Sequence, residues 1–546
     1  MDKYTDLIKD SFNDKAAKLH TKNISQYYRS HGSKGFSDAL DYIERELSNL
    51  AFDKIDIENF PLNSEEGNYP AWEPIKLEAN IVKPIKEKII SYDDIPTCIT
   101  WYSNSTPQGG VTAEICDVGK GLENDDYKGL DINGKIALAT GDSPEDTLRT
   151  YDLAVNKFGA IGILSDCLIG PINGFRTKDI TPDFVSLNRL SRKYNDSWAV
   201  IISGKMGKRL RELLKNSSVF INVEIEAKTF DGEGKSLITT IQGSEFPKKE
   251  IIIIGHVTNP KPNANCASGP ALMIELSKTF FNLIDKNIIK KPKRTVKFLF
   301  VPEGSGSQAY VKKHKKEIKN IISAICLCGI GQNQEMSKSF LTLSRTTDST
   351  PSYINDLSFS FLENASNLTT PPLRYREIPY SPFSDNSTFN MSGIPTILLS
   401  SEPNIFFHTQ FLTWETTSEE VFNVSACVVG GITLFNANAS NINIIQIINL
   451  TKFKSEQRLT NKLLIFNNQI EMYNSNVDYC VNLIEDLKEE IDYIVERDSD
   501  AIESCINIIN NSKIKIIIDE NKKDLKKYGE NLKIDLDKFK VNYKLK

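Results

Sequence analysis

Four consecutive isoleucines, Ile251 to Ile254, run into Gly255-His256. A strand that is apolar on both faces must lie in the middle of a sheet covered on each side, as in α/β folds. The chain that follows agrees with this. A helix is predicted from Gly269 to about Ile284, then strands over 296–301, 322–327 and 395–399. The expected fold class is α/β, a mixed sheet sandwiched by helices, with functional loops at the strand ends.

A chain of 546 residues is too long for one hydrophobic core, so two or three domains are expected. Residues 1 to about 50 read as helical, with Phe36, Leu40, Ile43 and Leu47 on one face. Residues 95–230 change character. A turn and strand over 134–139, a helix over 151–158 and a strand over 159–164 suggest a small α/β module. From residue 441 the chain turns helical and charged. Val477, Val481, Ile484, Leu487, Ile491 and Ile494 form one apolar stripe. The last 36 residues hold eleven lysines and six acids and are expected to be a solvated face.

Hydrophobic residues at 40% and charged residues at 25% are ordinary for a globular protein, and a net charge of -5 argues against a nucleic-acid partner. Nine cysteines without framework spacing point to free thiols in a reducing compartment. With no apolar leader at the N-terminus and no apolar run near 18 residues, the expected location is cytoplasmic, without a membrane partner.

Three strand-end loops carry groups with chemistry. His256 directly follows the isoleucine strand, Glu303 follows the strand ending at Val301, and His408 follows the strand at 395–399. In α/β proteins ligands bind at such ends. A carboxylate there is a candidate base or metal ligand.

The order of motifs resembles the catalytic domain of the zinc aminopeptidase family that includes leucyl aminopeptidases and glutamate carboxypeptidase. The residues carrying the resemblance are His256, Asn265-Cys266-Ala267-Ser268-Gly269, Arg294-Thr295, Glu303 with Gly306-Ser307, Ile325-Cys326-Leu327-Cys328, Ser384-Asp385 and Phe407-His408-Thr409. Arg29-Ser30-His31-Gly32-Ser33 resembles the family's N-terminal segment. Asp117-Val118-Gly119, the run 129–136 and Phe158-Gly159-Ala160-Ile161-Gly162 resemble a protease-associated domain. About 400 residues are covered. The resemblance implies an N-terminal part of a peptidase-like domain at 1–90, an inserted protease-associated domain at 95–230, the peptidase-like core at 235–440, and a helical extension at 441–546.

The departures fall on the metal ligands. Asn265 stands at the bridging aspartate, and a neutral amide cannot hold two cations roughly 3.5–4 Å apart. Cys328 stands at the second aspartate, a glutamate pair is reduced to Glu303, and Leu412 replaces a further aspartate. His256, Glu303 and His408 remain, with Cys328 as a possible fourth ligand. This set suits one zinc ion rather than two, or none. The resemblance then implies a metallo-exopeptidase scaffold acting on peptide N-termini, with Glu303 as base and a peptide or small amino-acyl substrate. The alternative is an inactive pseudopeptidase serving as an interaction protein. A cysteine hydrolase using Cys266 or Cys328 would need a histidine within hydrogen-bond reach of the thiol.

Overall fold

The computed structural model describes all residues except 1, 66–67, 171, 173, 193–195, 474–476 and 543–546. Two mixed sheets organise them. The larger has eight strands in the order Lys54–Leu62, Gly232–Ile241, Arg294–Val301, Phe246–His256, Ile321–Cys328, Thr396–Glu402, Phe340–Ser344 and Tyr375–Ile378. Its four inner strands, from Arg294–Val301 to Thr396–Glu402, run parallel, and antiparallel strands flank them on both sides.

The isoleucine strand lies inside this parallel block. Ile251 and Ile253 face one apolar layer, which includes Phe36, Leu40, Ile43 and Leu47 of the helix Lys34–Leu47. Ile252 and Ile254 face the other, with Leu299, Val301, Cys326 and Phe389. Both faces are therefore covered, which is why the strand reads as an uninterrupted apolar run.

The smaller sheet has seven strands in the order Glu87–Ser91, Ala71–Lys83, Phe220–Phe230, Val111–Asp117, Ile136–Ala139, Gly162–Ser165 and Ala199–Ile201. Residues 71–91, expected with the N-terminal part of the larger layer, join this sheet instead. The cause is side-chain alternation. Leu77, Ala79 and Ile81 point inward and pair in register with Ile225, Val223 and Ile221. The helix expected over 151–158 instead spans Pro144–Tyr151 and continues as a π-helical turn, Asp152–Lys157.

The C-terminal segment forms three long helices, Asn441–Tyr473, Val477–Glu503 and Ser512–Asn542. Ile484, Leu487, Ile491 and Ile494 are buried in the large core cluster, while the side chain of Val477 lies outside the described residues. The helix Glu419–Asn438 is long and apolar enough to span a bilayer, but 89% of its apolar window is buried inside the protein. Its carbonyl end is held by the buried guanidinium of Arg294, which donates to Asn436, Ala437, Ala439 and Ile508 backbone oxygens.

Candidate functional site

The parallel strands deliver their side chains to one sheet edge. His256 ends its strand, Cys328 ends the neighbouring one, and Glu303 follows the strand Arg294–Val301. The helix Asn265–Asp285 begins beside them, so Asn265 and Cys266 fall in its first turn. The chain leading into the helix is pinned by Arg29, whose buried side chain donates to the backbone oxygens of Val257 and Asn263. Thus the N-terminal segment with the Arg-Ser-His-Gly-Ser motif frames the site.

His256 is the hub. Its Nδ1 donates to Asp385 Oδ2 at 3.1 Å, and Asp385 Oδ1 accepts from Gly304 N at 2.8 Å and Ser307 Oγ at 2.6 Å. This fixes the ring and turns Nε2 toward the cavity. Cys266 Sγ lies 2.8 Å from Nε2 and Cys328 Sγ 3.9 Å from it. Asn259 Nδ2 donates to Cys266 Sγ at 2.9 Å, and Asn265 Nδ2 faces Cys266 and Cys328 at 3.4 and 3.6 Å. Asn265 therefore acts as a donor to sulfur. An amide suits this place because a carboxylate beside two thiols would repel their ionised forms.

Among the described residues, His256, Cys266 and Cys328 are the His, Cys, Asp or Glu residues whose ligand atoms all lie within 4.8 Å of one another. Glu303 stands beside this group, its Oε1 3.8 Å from His256 Nε2. His408 lines the same cavity of about 620 Å³ but lies outside the three-residue group. Its ring stacks on Phe407 with centroids 3.7 Å apart, and its backbone oxygen accepts from Leu187 N at 2.7 Å. Leu412 is fully buried. The donor set expected from sequence, His256, Glu303, His408 and Cys328, is thus regrouped, with Cys266 taking a central place.

Cys266 and Asp385 both lie in motifs that carry the resemblance, and Cys266 is a candidate thiol there, but the sequence does not assign either of them to His256. Cys266 sits inside the Asn-Cys-Ala-Ser-Gly motif, where its neighbour Asn265 draws attention. Asp385 precedes the short helix Asn386–Met391 and is far from His256 along the chain.

Electrostatics follow the geometry. Burial pushes the Cys266 thiol up, but Cys328, His256 and Asn259 outweigh it and hold the thiol well below its ordinary value. Burial likewise opposes charge on His256, yet Cys266, Glu303 and Cys328 raise it well above the usual imidazole range. The Cys328 thiol is raised by its hydrogen bond with Cys266 and by burial. The Glu303 side chain keeps 44% of its surface, but the cavity walls desolvate its carboxyl and raise it to about 7. Burial lowers His408 to about 4.

The close packing makes Gly329 a sensitive position. Its φ is +61°, and a Cβ there would overlap Asn265 Oδ1. Gly329→Ala is expected to destabilise the fold by about 1–3 kcal/mol and to displace the Asn265 amide from the sulfurs. Urea unfolding curves check this. An unchanged midpoint would contradict it.

A family model described as "Domain of unknown function (DUF4910)" matches residues 20–356. No curated protein matches the chain. Solved structures do. An aminopeptidase from Aneurinibacillus sp. strain AM-1 is 20% identical with a TM-score of 0.51, over 79% of this chain and 96% of that one. A peptidase M28 precursor from Shewanella amazonensis SB2B is 18% identical with a TM-score of 0.58, over 80% and 96%. A zinc aminopeptidase from Bacillus subtilis is 16% identical with a TM-score of 0.58, over 79% and 96%. At these identities the likeness establishes a zinc aminopeptidase-like fold.

Proposed function

We propose that this chain, which belongs to the DUF4910 family of domains of unknown function, is a one-zinc hydrolase of amide bonds on an aminopeptidase scaffold. The observation that carries the reading is the cluster of His256, Cys266 and Cys328 with Glu303 beside it. The donor set fits zinc. Two thiols and an imidazole are ligands of its preferred kind, and three protein ligands with one open position are the pattern of catalytic zinc sites. The Asp385 carboxylate behind His256 supplies the outer partner such a histidine needs. The set does not fit a second ion, because Asn265 and Leu412 stand where further carboxylates would be required.

When bound, zinc would supply Lewis-acid chemistry at this edge of the sheet. The chain's own residues do the rest. Glu303 is placed to take a proton from water and return it to the leaving amine, and a carboxyl raised to about 7 is suited to both transfers near neutral pH. Asn259 and Asn265 donate to sulfur and hold the thiols toward His256. The solved relatives named as aminopeptidases support a peptide or small amino-acyl substrate cleaved at its N-terminus.

One contact favours a second reading. Cys266, 2.8 Å from His256 Nε2 with Asp385 on the other ring nitrogen, has the layout of a thiol nucleophile with an oriented base. Zinc stoichiometry separates the two. The one-zinc reading expects about one ion per purified chain, and Glu303→Gln should keep the zinc while losing about 100-fold or more of amide hydrolysis. A metal-free wild type that hydrolyses amides and is inactivated by iodoacetamide would favour the thiol instead. A protein with neither zinc nor hydrolysis would be the pseudopeptidase.

Residues 95–230, with the paired strands at 71–91, are read as an inserted protease-associated domain, supported by the motifs at 117–119, 129–136 and 158–162. A cytoplasmic location is read from the nine cysteines without framework spacing.

A further inference from the structure

Glu303 lines two cavities, and they differ in charge. The larger holds the thiols and also carries Asp142 and Glu145. The smaller, about 210 Å³, has His31, Tyr69, Trp101 and Tyr102 among its walls, and its charged lining is Arg189, Arg192 and Glu303. Trp101, Arg189, Pro382 and Phe383 line both, so the two spaces adjoin at Glu303.

Arg189 acts on the charge of Glu303, but neither it nor Arg192 is locked in an ion pair among the described residues, whereas Arg211 nearby in sequence pairs with Asp117 and Asp166. Arg192 instead sits over the Tyr69 ring, its Cζ 3.6 Å from the centroid. Stacking leaves the edge of a guanidinium, where its N–H groups are, free to bind in its plane.

A third arginine acts on the larger cavity, at His408. Arg176 is fully buried, and none of its three side-chain nitrogens has a hydrogen-bond partner among the described residues. Burial alone lowers it to about 10, and its charge is felt at His408. It lines neither cavity. His31, lowered to about 4 by burial, stays neutral and donates from Nε2 to the Glu303 backbone oxygen at 2.9 Å. The smaller cavity is therefore aromatic, cationic, and fixed to the backbone of Glu303.

We propose that this smaller cavity is a carboxylate subsite, and that Arg189 and Arg192 select amide substrates bearing a free carboxylate next to the bond presented to Glu303. The proposal rests on the hydrolase reading only for the word substrate; the anion subsite stands on the arginines themselves. A planar guanidinium matches a carboxylate through two parallel N–H···O bonds, and the neutral amide of the same shape forfeits the charge assistance.

Calorimetric titration tests this with three ligands on the full chain. N-acetylglycine carries an α-carboxylate, the α-amide of N-acetylglutamic acid carries a side-chain carboxylate, and the α-amide of N-acetylglutamine carries neither. At least one of the two acids is expected to bind about tenfold or more tighter than the neutral compound. Whichever acid binds tighter identifies the source of the carboxylate. Arg192→Gln and Arg189→Gln, both outside the core, should each erase most of that preference, and raising the salt concentration should weaken it. Equal binding of all three ligands, or a preference untouched in both variants, would overturn the proposal. Zinc titrations run in parallel keep the two readings apart. A chain that prefers the acids but binds no zinc sinks the one-zinc hydrolase and keeps the subsite. One that binds zinc without preferring the acids sinks the subsite alone.

Discussion

Serine at both Cys266 and Cys328 is expected to take zinc content from about one ion per chain to nearly none, leaving the fold in place. Serine keeps the size of cysteine but is not ionised near neutral pH, so it offers the ion neither charge nor soft sulfur. Of the three clustered ligands only His256 would remain, and one imidazole holds zinc weakly. The lost charge also removes the reason for the orientation of Asn259 and Asn265, whose amides donate to sulfur. Cys116→Ser, a half-buried thiol in the smaller sheet, serves as the comparison and should leave zinc content unchanged. The readouts are metal analysis of the purified protein and circular dichroism for the fold. Equal zinc in wild type and the double variant would show that the ion is held elsewhere, or not at all.

Arg458→Ala is expected to cost about 3–5 kcal/mol of stability, the largest effect foreseen outside the site. Arg458, on the helix Asn441–Tyr473, reaches Asp356 Oδ1 at 2.6 Å and Oδ2 at 3.1 Å, and Asp498 Oδ2 at 2.9 and 2.8 Å. Asp356 belongs to the helix Ile354–Ser366 beside the large sheet, and Asp498 to the helix Val477–Glu503. Both carboxylates are almost fully buried, at 2% and 1% exposure. One guanidinium thus joins two C-terminal helices to the main fold. Truncating it leaves two buried acids with reduced compensation from Arg345 and Arg497. The Asp498 carboxyl shows the same dependence: burial raises it, but Arg458 and Arg497 prevail and hold it below its ordinary value. Urea unfolding of Arg458→Ala against wild type measures the loss. A cost under about 1 kcal/mol would mean that the network is incidental. Arg458→Met combined with Asp356→Asn and Asp498→Asn should recover much of it, because the uncompensated charges are removed together.

Local pattern determined much of the architecture. The run Ile251–Ile254 required a strand covered on both faces, and its odd and even members do face two different apolar layers. Phe36, Leu40, Ile43 and Leu47 were spaced for one helical face, and that face is buried. These features are legible because periodicity and burial are tied residue by residue. Residues 71–91 were harder. Their alternation specifies a strand with one buried face, but its partner, Phe220–Phe230, is more than a hundred residues away, and strand pattern does not name a distant partner.

The site shows the same division. Position at a strand end was enough to mark His256 and Glu303, because strand ends of parallel sheets converge on one edge. Only the tertiary structure brought Cys266 and Cys328 to the same nitrogen, set Asp385 behind His256 across 129 residues of chain, and left His408 outside the cluster. Ligand grouping depends on side-chain directions and distances of a few ångströms. A helix start, two strands and a loop set those jointly through packing, and no local stretch of sequence encodes them.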